Sequence, residues 1–380
     1  MIKLLTIIGA RPQIIKASAI SRAIANHFAT EVCEKILHTG QHYDANMSQV
    51  FFDELNIPYP NFNLNVGSGT HAVQTAKMMV GIEEVIQKEH FDGMIIYGDT
   101  NSTLAGGIVA SKLHLPVFHI EAGLRSFNMF MPEELNRVLC DQLSSILFTP
   151  TQTAIDNLRK EGFDTSPTFF KNGKRRMVIH SGDIMYDNSL YFAQLSSSKE
   201  KLLKELGVSK GDYLLATIHR DSNTDNPERL RAIFEALIRI SSGEKIVCPL
   251  HPRTVARLND REDIMTAIRS HNNLIITAPV SFLEITMLEK NAKLILTDSG
   301  GVQKEAYFFQ KPCVILRPET EWVEIIEQGA GILADADTKK ILNSYQQLIG
   351  NTSEFPTLFG DGNSAKYIIK EIVNYCNNEK

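Results

Sequence analysis

The sequence lacks the patterns that mark several common classes of protein. Its five cysteines are scattered and form no C-x-x-C pair, which indicates neither a disulfide framework nor a zinc site. No apolar run approaches the roughly 18 residues that cross a bilayer. The net charge of -5 gives no general attraction to nucleic acid or anionic lipid, so any phosphate site must be local. We therefore expect a cytoplasmic enzyme with reduced thiols and without nucleic-acid or membrane partners.

Signature motifs of metal and nucleotide sites are also absent. The segment after the first predicted strand contains neither the P-loop G-x-x-x-x-G-K-[ST] nor the dinucleotide fingerprint G-x-G-x-x-G. The sequence has no H-E-x-x-H and no convincing metal triad. We expect catalysis without a metal ion or a bound cofactor.

Apolar runs alternate with helical patterns along the chain, which is typical of βαβ units in an α/β fold. The length of 380 residues corresponds to two domains, or to three, at roughly 150 residues each. In the first half the predicted strands are residues 3–8, 35–38, 93–97, 117–120 and 146–148. The predicted helices of that half are residues 13–25, 71–89, 103–113, 133–144 and 153–161.

A second alternating series predicts another α/β half of similar size. Its predicted strands are residues 213–218, 245–249, 274–276, 294–297 and 313–316, and its helices are 227–240, 282–289, 302–308 and 338–348. We place the N-terminal domain at residues 1–178 and the C-terminal domain at 179–363. The last helix, within residues 364–380, is expected to pack back on the first domain. Ligands of such sheets bind beyond the carboxyl ends of the strands.

The segment 164–176 breaks the alternation and is predicted to be a linker or an exposed hairpin. It carries the basic cluster Lys171, Lys174, Arg175 and Arg176. Such a cluster either binds phosphate or is a solvated loop, and the second interpretation is the more common one.

Polar motifs follow the first-half strands where ligands are expected. In G-A-R-P-Q-I-I-K at residues 9–16, Arg11 and Lys16 lie near a helix N-terminus, which favours an anion site over a surface ion pair. In G-D-T-N-S-T at residues 98–103, Asp99 either caps the next helix or serves chemistry.

Two further motifs supply more carboxylates to the same end of the sheet. H-I-E-A-G-L-R-S spans residues 119–126, and the alternation of a strand predicts that His119 and Glu121 share one face. In M-P-E-E-L-N-R, Glu133 and Arg137 are predicted to share a helix face. Asp99, Glu121 and Glu133 are then expected to converge at one edge of the sheet. Close carboxylates shift one another's pKa, which separates the acid role from the base role. The alternative is a structural ion-pair network that includes Arg125 and Arg137.

The second half offers cations and a phosphate cradle. His219 and Arg220 follow one predicted strand, and H-P-R, with His251, follows the next. In T-D-S-G-G-V-Q-K-E, residues 299–301 present backbone N–H groups at a helix N-terminus, a geometry that binds phosphate. Glu305 lies one turn into that helix, within reach of ribose hydroxyls. The alternative for this motif is a tight turn without a ligand.

These motifs, in this order, resemble the non-hydrolysing UDP-N-acetylglucosamine 2-epimerase family over about the whole chain. The resemblance implies two Rossmann-like domains of the glycosyltransferase-B type, an active site in the interdomain cleft and a homodimer. It implies reversible 2-epimerisation of a UDP-2-acetamido sugar for bacterial surface polysaccharide precursors, with UDP-N-acetylglucosamine to UDP-N-acetylmannosamine as the first expectation. The reaction that it implies eliminates UDP to give a 2-acetamidoglucal, and UDP then adds back with C2 protonated on the other face.

The resemblance also assigns the roles of particular residues. The residues implied to be catalytic are Asp99, Glu121, Glu133 and His219. The residues implied to bind UDP are Arg11, Lys16, Ser299, Gly300, Gly301 and Glu305. We also expect substrate contacts from Arg125, Arg137, Arg220, His251 and Phe282.

Several positions depart from the commonest pattern of the family. Gln13 stands where many members have Glu, Asp141-Gln142 replaces Asp-His, residues 41–47 are longer than Q-H-R-x-M, and Trp322 replaces Arg in T-E-R. This set is similar to the branch that epimerises UDP-2,3-diacetamido-2,3-dideoxyglucuronic acid. The substrate is therefore either UDP-N-acetylglucosamine or the diacetamido sugar. Activation by a second UDP-N-acetylglucosamine is also left open. A hydrolytic epimerase is a closer alternative, and a retaining glycosyltransferase and a non-catalytic UDP-sugar sensor are more distant ones.

Overall fold

The structure is a computed structural model that describes residues 1–41, 52, 57–166, 168–169, 175–350 and 354–378. Lys171, Lys174 and all but the first residue of the loop at 41–47 lie outside these described residues. Contacts between Cα atoms divide the chain into two compact units. Unit 1 comprises Met1–Asn188 and Thr357–Lys380, and unit 2 comprises Ser189–Pro356.

Unit 1 is built on a mainly parallel sheet. Its strands are β1 (Ile2–Ile8), β2 (Val32–His38), β3 (Phe62–Asn63), β4 (Gly93–Tyr97), β5 (Val117–Ile120), β6 (Ile146–Thr149), β7 (Thr168–Phe169) and β8 (Arg175–His180). They are ordered β3-β2-β1-β4-β5-β6-β8-β7, and the β7–β8 pair alone is antiparallel within this sheet. The direction of winding reverses between β1 and β4, which is where such sheets form a binding crevice.

Helices connect the strands of unit 1. They are α1 (Arg11–Ala23), α2 (His71–Lys88), α3 (Asn101–Lys112), α4 (Pro132–Leu143) and α5 (Gln152–Lys160), and a π-helical turn (Ile24–Phe28) follows α1. The C-terminal helix α16 (Ser364–Asn378) belongs to this unit and packs against α1. The carboxylate of Asp187 fixes the start of α16, since it accepts hydrogen bonds from the backbone N–H groups of Ser364 and Ala365.

Unit 2 contains a second parallel sheet. Its strands are β9 (Tyr213–Thr217), β10 (Lys245–Pro249), β11 (Leu274–Thr277), β12 (Leu294–Thr297), β13 (Cys313–Ile315) and β14 (Gly331–Leu333). Their order is β11-β10-β9-β12-β13-β14, so the winding reverses between β9 and β12. The carboxyl ends of those two neighbouring strands therefore bound the expected crevice of this unit.

The helices of unit 2 lie on both faces of its sheet. They are α7 (Lys201–Glu205), α8 (Asp221–Thr224), α9 (Pro227–Ile240), α10 (Pro252–Asn259), α11 (Glu262–Ser270), α12 (Phe282–Asn291), α13 (Gly300–Phe308), α14 (Val323–Glu327) and α15 (Thr338–Ile349). The helix α6 (Ile184–Leu195), followed by a 3-10 turn (Ser196–Lys199), contains the division between the units.

The central strands form the cores, as the continuous apolar runs predict. Residues 94–97 of β4 have no exposed surface, and neither do residues 213–216 of β9.

The segment 164–176 is partly a hairpin, because Thr168 of β7 pairs with Arg176 of β8. The alternation did not predict α6, α10, α11, β8 or β14. Among the residues that the structure describes, no helix is both long and apolar enough to span a bilayer.

Candidate active site

Gln13 ties the β1–α1 turn of unit 1 to the end of β4. Its amide oxygen accepts from the backbone N–H groups of Gly9 (2.9 Å) and Ala10 (3.2 Å). Its amide nitrogen donates to the carbonyl of Tyr97 and to the hydroxyl of Thr103, both at 2.9 Å. A carboxylate accepts but does not donate, so the amide suits this bridge. Gln13 thus positions the two strand ends that bound the crevice.

The carboxylate of Asp99 pairs with the guanidinium of Arg137. The preceding residue, Gly98, has a φ of +60°, which a glycine adopts without strain and which turns the chain beyond β4. The side chain of Asn136 holds the Asp99 carbonyl with a hydrogen bond of 2.8 Å. Asp99 is 32% exposed at its side chain, and Arg137 only 12%. The arrangement holds an accessible carboxylate in one orientation beside a cation.

Glu121 lies beside the same turn and pairs with Lys16 of α1. A Cβ atom on Gly98 would lie 3.5 Å from the Lys16 amino group and 3.8 Å from a Glu121 carboxylate oxygen. The structure thus brings Asp99 and Glu121 to adjacent positions at the ends of β4 and β5. Glu121 has a φ of +70°, a strained conformation that costs a non-glycine residue about 1–3 kcal/mol and is concentrated at functional sites.

His119 and Glu121 do not share a strand face, so that prediction is wrong. The strand β5 ends at Ile120, and the left-handed backbone at Glu121 redirects its side chain. His119 is fully buried, with Nδ1 2.8 Å from the Asp141 carboxylate and Nε2 2.8 Å from the Gly98 carbonyl. His119 therefore links Asp141 to the turn that precedes Asp99.

Arg125 belongs to an internal network, which does not support the predicted contact with substrate. Its side chain is 1% exposed, and its Nη1 lies 2.8 Å from the buried carboxylate of Asp141. Its Nε and Nη2 donate to Glu161 at 2.6 and 2.7 Å. Asp141 also accepts from the Gly123 N–H at 3.1 Å. Asp141 thus contacts His119, Arg125 and the backbone N–H of Gly123, which lies two residues after Glu121.

Glu134 rather than Glu133 forms the recorded ion pair with Arg137 on α4, at 2.8 Å. Glu134 is buried and accepts from the backbone N–H groups of Ser126 and Phe127. Burial acts to raise the pKa of Glu134, but these hydrogen bonds and the charge of Arg137 hold the pKa below its usual value. Glu133 is exposed at the start of the helix. The predicted catalytic role of Glu133 stays a prediction.

The fully buried Asp298 organises the crevice of unit 2 at the end of β12. Its carboxylate accepts from the backbone N–H groups of His219 and Arg220, each at 3.1 Å, and from the Asn223 side chain at 3.0 Å. It lies 3.3 Å from Nδ1 of His219. The ends of β9 and β12 are joined in this way, and the His219 side chain is left 57% exposed.

The predicted phosphate cradle forms the N-terminus of α13. Ser299 caps the helix, since its hydroxyl accepts from the Val302 N–H at 3.4 Å. A Cβ atom on Gly300 would lie 3.5 Å from an Arg317 nitrogen and 3.6 Å from a Glu321 oxygen. The helix N-terminus therefore lies beside an Arg317–Glu321 pair that forms two contacts of 3.0 Å. Backbone N–H groups at such a terminus favour an anion.

Charged and aromatic groups surround this cradle. Burial acts to raise the pKa of Glu321, but Arg317, aided by the charge of Arg220, lowers the pKa below its usual value. The amino group of Lys304 lies 4.2 Å from the ring centre of Trp322, which is one of the residues that depart from the family pattern. Both of these side chains are largely buried.

Glu305 is half-buried on α13, with a second acid beneath it. Glu289 of α12 is 1% exposed, and among the described residues its carboxylate oxygens have no hydrogen-bond partner. Burial, together with the charge of Glu305, raises the pKa of Glu289 well above its usual value. The neutral acid is therefore favoured at Glu289.

The other predicted ligands lie at or near element ends. Arg11 begins α1 and is exposed. His251 caps α10, where its Nδ1 accepts from the Arg253 N–H at 3.3 Å. Phe282 begins α12, and its ring packs edge-on against Phe192 with centres 5.1 Å apart. Roles in substrate binding for these three stay predictions.

Sequence reasoning missed four residues that organise the site: Gln13, Asp141, Asp298 and Arg317. Asp298 and Asp141 lay in or next to quoted motifs, but their contacts join distant strands and are not visible in local spacing. No group of three or more His, Cys, Asp or Glu side chains placed to hold a metal ion occurs within the described part of the chain.

Comparisons with known proteins identify the family of the chain. The sequence model of the UDP-N-acetylglucosamine 2-epimerase family matches residues 25–373. A UDP-N-acetylglucosamine 2-epimerase homolog of Methanococcus maripaludis is 48% identical over 373 residues, which cover 98% of this chain and 99% of the relative. The UDP-2,3-diacetamido-2,3-dideoxy-D-glucuronate 2-epimerase of Pseudomonas aeruginosa is 47% identical over 371 residues, which cover 96% of this chain and 98% of the relative.

A solved structure of UDP-GlcNAc 2-epimerase from Methanocaldococcus jannaschii, in complex with UDP-GlcNAc and UDP, has a TM-score of 0.79 with this chain. It is 42% identical, and the match covers 98% of this chain and all of that one. Fold, site and matches together define an isomerase of the epimerase type. The chain belongs to the UDP-N-acetylglucosamine 2-epimerase family. The predicted family and the predicted class of two Rossmann-like α/β domains are confirmed.

Proposed function

We propose that the protein interconverts UDP-N-acetylglucosamine and UDP-N-acetylmannosamine. A carboxylate of unit 1 takes the proton from C2 while the C1–oxygen bond to UDP breaks, which leaves a 2-acetamidoglucal. UDP then adds back to C1, and a proton is delivered to the opposite face of C2. The C2 proton and the C1–oxygen bond are both restored, so no oxidant or reductant is consumed.

The observation that carries this proposal is the placement of Asp99 and Glu121 at adjacent strand ends. Each pairs with a cation, Asp99 with Arg137 and Glu121 with Lys16. Two carboxylates held beside one turn are suited to proton transfer at one carbon. The strained backbone of Glu121 further supports a functional role there.

The proposal assigns the binding of UDP to residues of unit 2. The N-terminus of α13 and the cations Arg220 and Arg317 suit a diphosphate, and Glu305 suits the ribose. A C2 proton is only weakly acidic, so elimination depends on stabilising the charge that builds on the departing UDP. Backbone N–H groups and fixed cations provide that stabilisation.

The activity is tested by incubating the purified protein with each sugar nucleotide and separating the products by anion-exchange chromatography. We expect UDP-N-acetylglucosamine and UDP-N-acetylmannosamine to reach one equilibrium ratio from either side. Irreversible release of UDP identifies a hydrolytic epimerase instead, and the absence of any product contradicts the proposal.

A second candidate substrate is UDP-2,3-diacetamido-2,3-dideoxyglucuronic acid. The similarity to the Pseudomonas aeruginosa enzyme that is named for this sugar, at 47% identity, and the presence of Trp322 near the cradle favour it. Conversion of this sugar alone assigns the protein to that branch.

We also propose that the protein is a cytoplasmic homodimer and that it supplies precursors of surface polysaccharides. The likeness to the family supports this proposal.

Replacing Glu305 with alanine is expected to weaken UDP binding by about tenfold, since a hydrogen bond to a charged acceptor is lost. Titration calorimetry with UDP measures this change. Glu327→Ala, which removes an exposed carboxylate from another helix of unit 2, is the matched control and should bind UDP like the unaltered protein. An unchanged dissociation constant for Glu305→Ala contradicts the ribose role.

A further inference from the structure

The carboxylate of Asp298 lies behind the imidazole of His219. Asp298 has no exposed side-chain surface, whereas the His219 side chain is 57% exposed. One oxygen of Asp298 is 3.3 Å from Nδ1 of His219. The other ring nitrogen, Nε2, is on the far edge of the ring from this oxygen. The ring thus has one nitrogen near a buried acceptor and the other on its far edge.

Further contacts fix both members of this pair. The carboxylate of Asp298 accepts from the backbone N–H groups of His219 and Arg220 and from the side-chain amide of Asn223. Asn223 also donates to the Leu316 carbonyl at 3.0 Å, which joins the end of β13 to the same group. Asp298 therefore cannot rotate away without breaking several hydrogen bonds, and the backbone of His219 is held with it.

The chemistry of the two side chains sets the position of the imidazole proton. An ionised carboxylate only accepts hydrogen bonds, so Nδ1 must carry the proton when it faces Asp298. The lone pair of the neutral ring is then on Nε2. Contacts of this kind are often long in the absence of a ligand and shorten in the reactive complex.

We propose that Asp298 is a positioning residue that holds His219 with Nδ1 protonated, so that Nε2 is the atom presented to substrate. The role of His219 toward substrate rests on the proposed function, whereas its orientation by Asp298 does not. With this orientation Nε2 accepts a proton or a hydrogen bond from the sugar nucleotide. A carboxylate behind the ring also stabilises the imidazolium that forms when Nε2 is protonated.

The first test observes the tautomer in the unaltered protein. Long-range proton–nitrogen NMR spectra of 15N-histidine-labelled protein distinguish Nδ1–H from Nε2–H, and His219→Gln assigns the signal among the 11 histidines. At a pH where the ring is neutral, we expect the Nδ1–H form at His219. We expect Asp298→Asn to shift the population toward Nε2–H. An Nε2–H ring in the unaltered protein overturns the inference without any variant.

The second test separates positioning from structural support. Asp298→Asn is expected to lower kcat by about 100-fold, within the range of supporting carboxylates of histidine. Its dissociation constant for UDP should change by less than about threefold, because the α13 cradle is retained. Asp212→Asn, which alters an exposed pair with Lys245, is the control and should behave as the unaltered protein.

Parallel losses of kcat and UDP affinity in Asp298→Asn, with an unchanged His219 tautomer, overturn the positioning role. If the unaltered protein epimerises neither sugar, the proposed function fails. The tautomer spectra then still decide the orientation of His219 by themselves. The two failures are therefore distinguishable.

Discussion

Asp99→Asn is expected to lower epimerase turnover by about 10²- to 10⁴-fold, the contribution typical of a positioned acid or base. The substitution keeps the size of the side chain but removes the group that exchanges protons. UDP affinity should persist, since Asp99 is not among the proposed UDP ligands. Turnover is measured by chromatography and UDP binding by calorimetry.

Glu121→Gln provides a second variant of the same kind. It removes the carboxylate beside Lys16, and we expect a loss of turnover in the same range. The matched control is Asp156→Asn on α5, an exposed carboxylate paired with Arg159. If Asp99→Asn loses UDP affinity in proportion to turnover, the acid/base assignment is wrong and Asp99 serves binding instead.

Asp141→Asn is expected to destabilise the protein by about 3–5 kcal/mol, the cost of breaking a buried ion pair from one side. The carboxylate of Asp141 is fully buried and contacts Arg125, whose side chain is 1% exposed, as well as His119. Its removal leaves the charge on Arg125 with Glu161 as its remaining ion-pair partner within the described contacts. Urea unfolding followed by circular dichroism measures the change in free energy of unfolding.

The control for this prediction is again Asp156→Asn. Its ion pair with Arg159 is about half exposed, and such surface pairs contribute about 0–1 kcal/mol. If Asp141→Asn loses no more free energy of unfolding than this control, Asp141 does not stabilise the site of unit 1 as proposed. A large loss of free energy of unfolding, with normal UDP binding, supports this role of Asp141.

The fold was largely predictable because the central strands are buried on both faces. Continuous apolar runs such as Met94–Tyr97 mark such strands without reference to partners. The helices α10 and α11 span only eight and nine residues and follow each other closely, so their amphipathic patterns were not separated from the surrounding loops. The strand β8 follows a basic segment and pairs with β6, a tertiary contact that its own sequence does not encode.

The candidate site was predictable where function depends on residues at strand ends. Asp99, His219 and Ser299 each lie two residues beyond the end of a strand, and the topology places such residues at one edge of each sheet. Glu121 was located correctly at the end of β5, but its side-chain direction was not, because the alternation rule stops where the left-handed backbone begins.

Pairings between distant residues were not predictable from spacing. Arg125 lies in a motif beside the catalytic candidates, yet it pairs with the buried Asp141 and with Glu161. The choice of Glu134 over Glu133 as partner of Arg137 is likewise decided by the turn at Ser126 and Phe127. Only the folded chain brings these groups together.

The central claim is that a carboxylate of this protein exchanges the C2 proton of a UDP-2-acetamido sugar. It is tested most directly by proton NMR of the protein with UDP-N-acetylglucosamine in D₂O, repeated with the 2,3-diacetamidoglucuronate. The account predicts loss of the C2 proton signal through deuterium incorporation as the manno epimer grows, and neither change in Asp99→Asn. An epimer that retains its C2 proton, or no exchange from either sugar, contradicts the account.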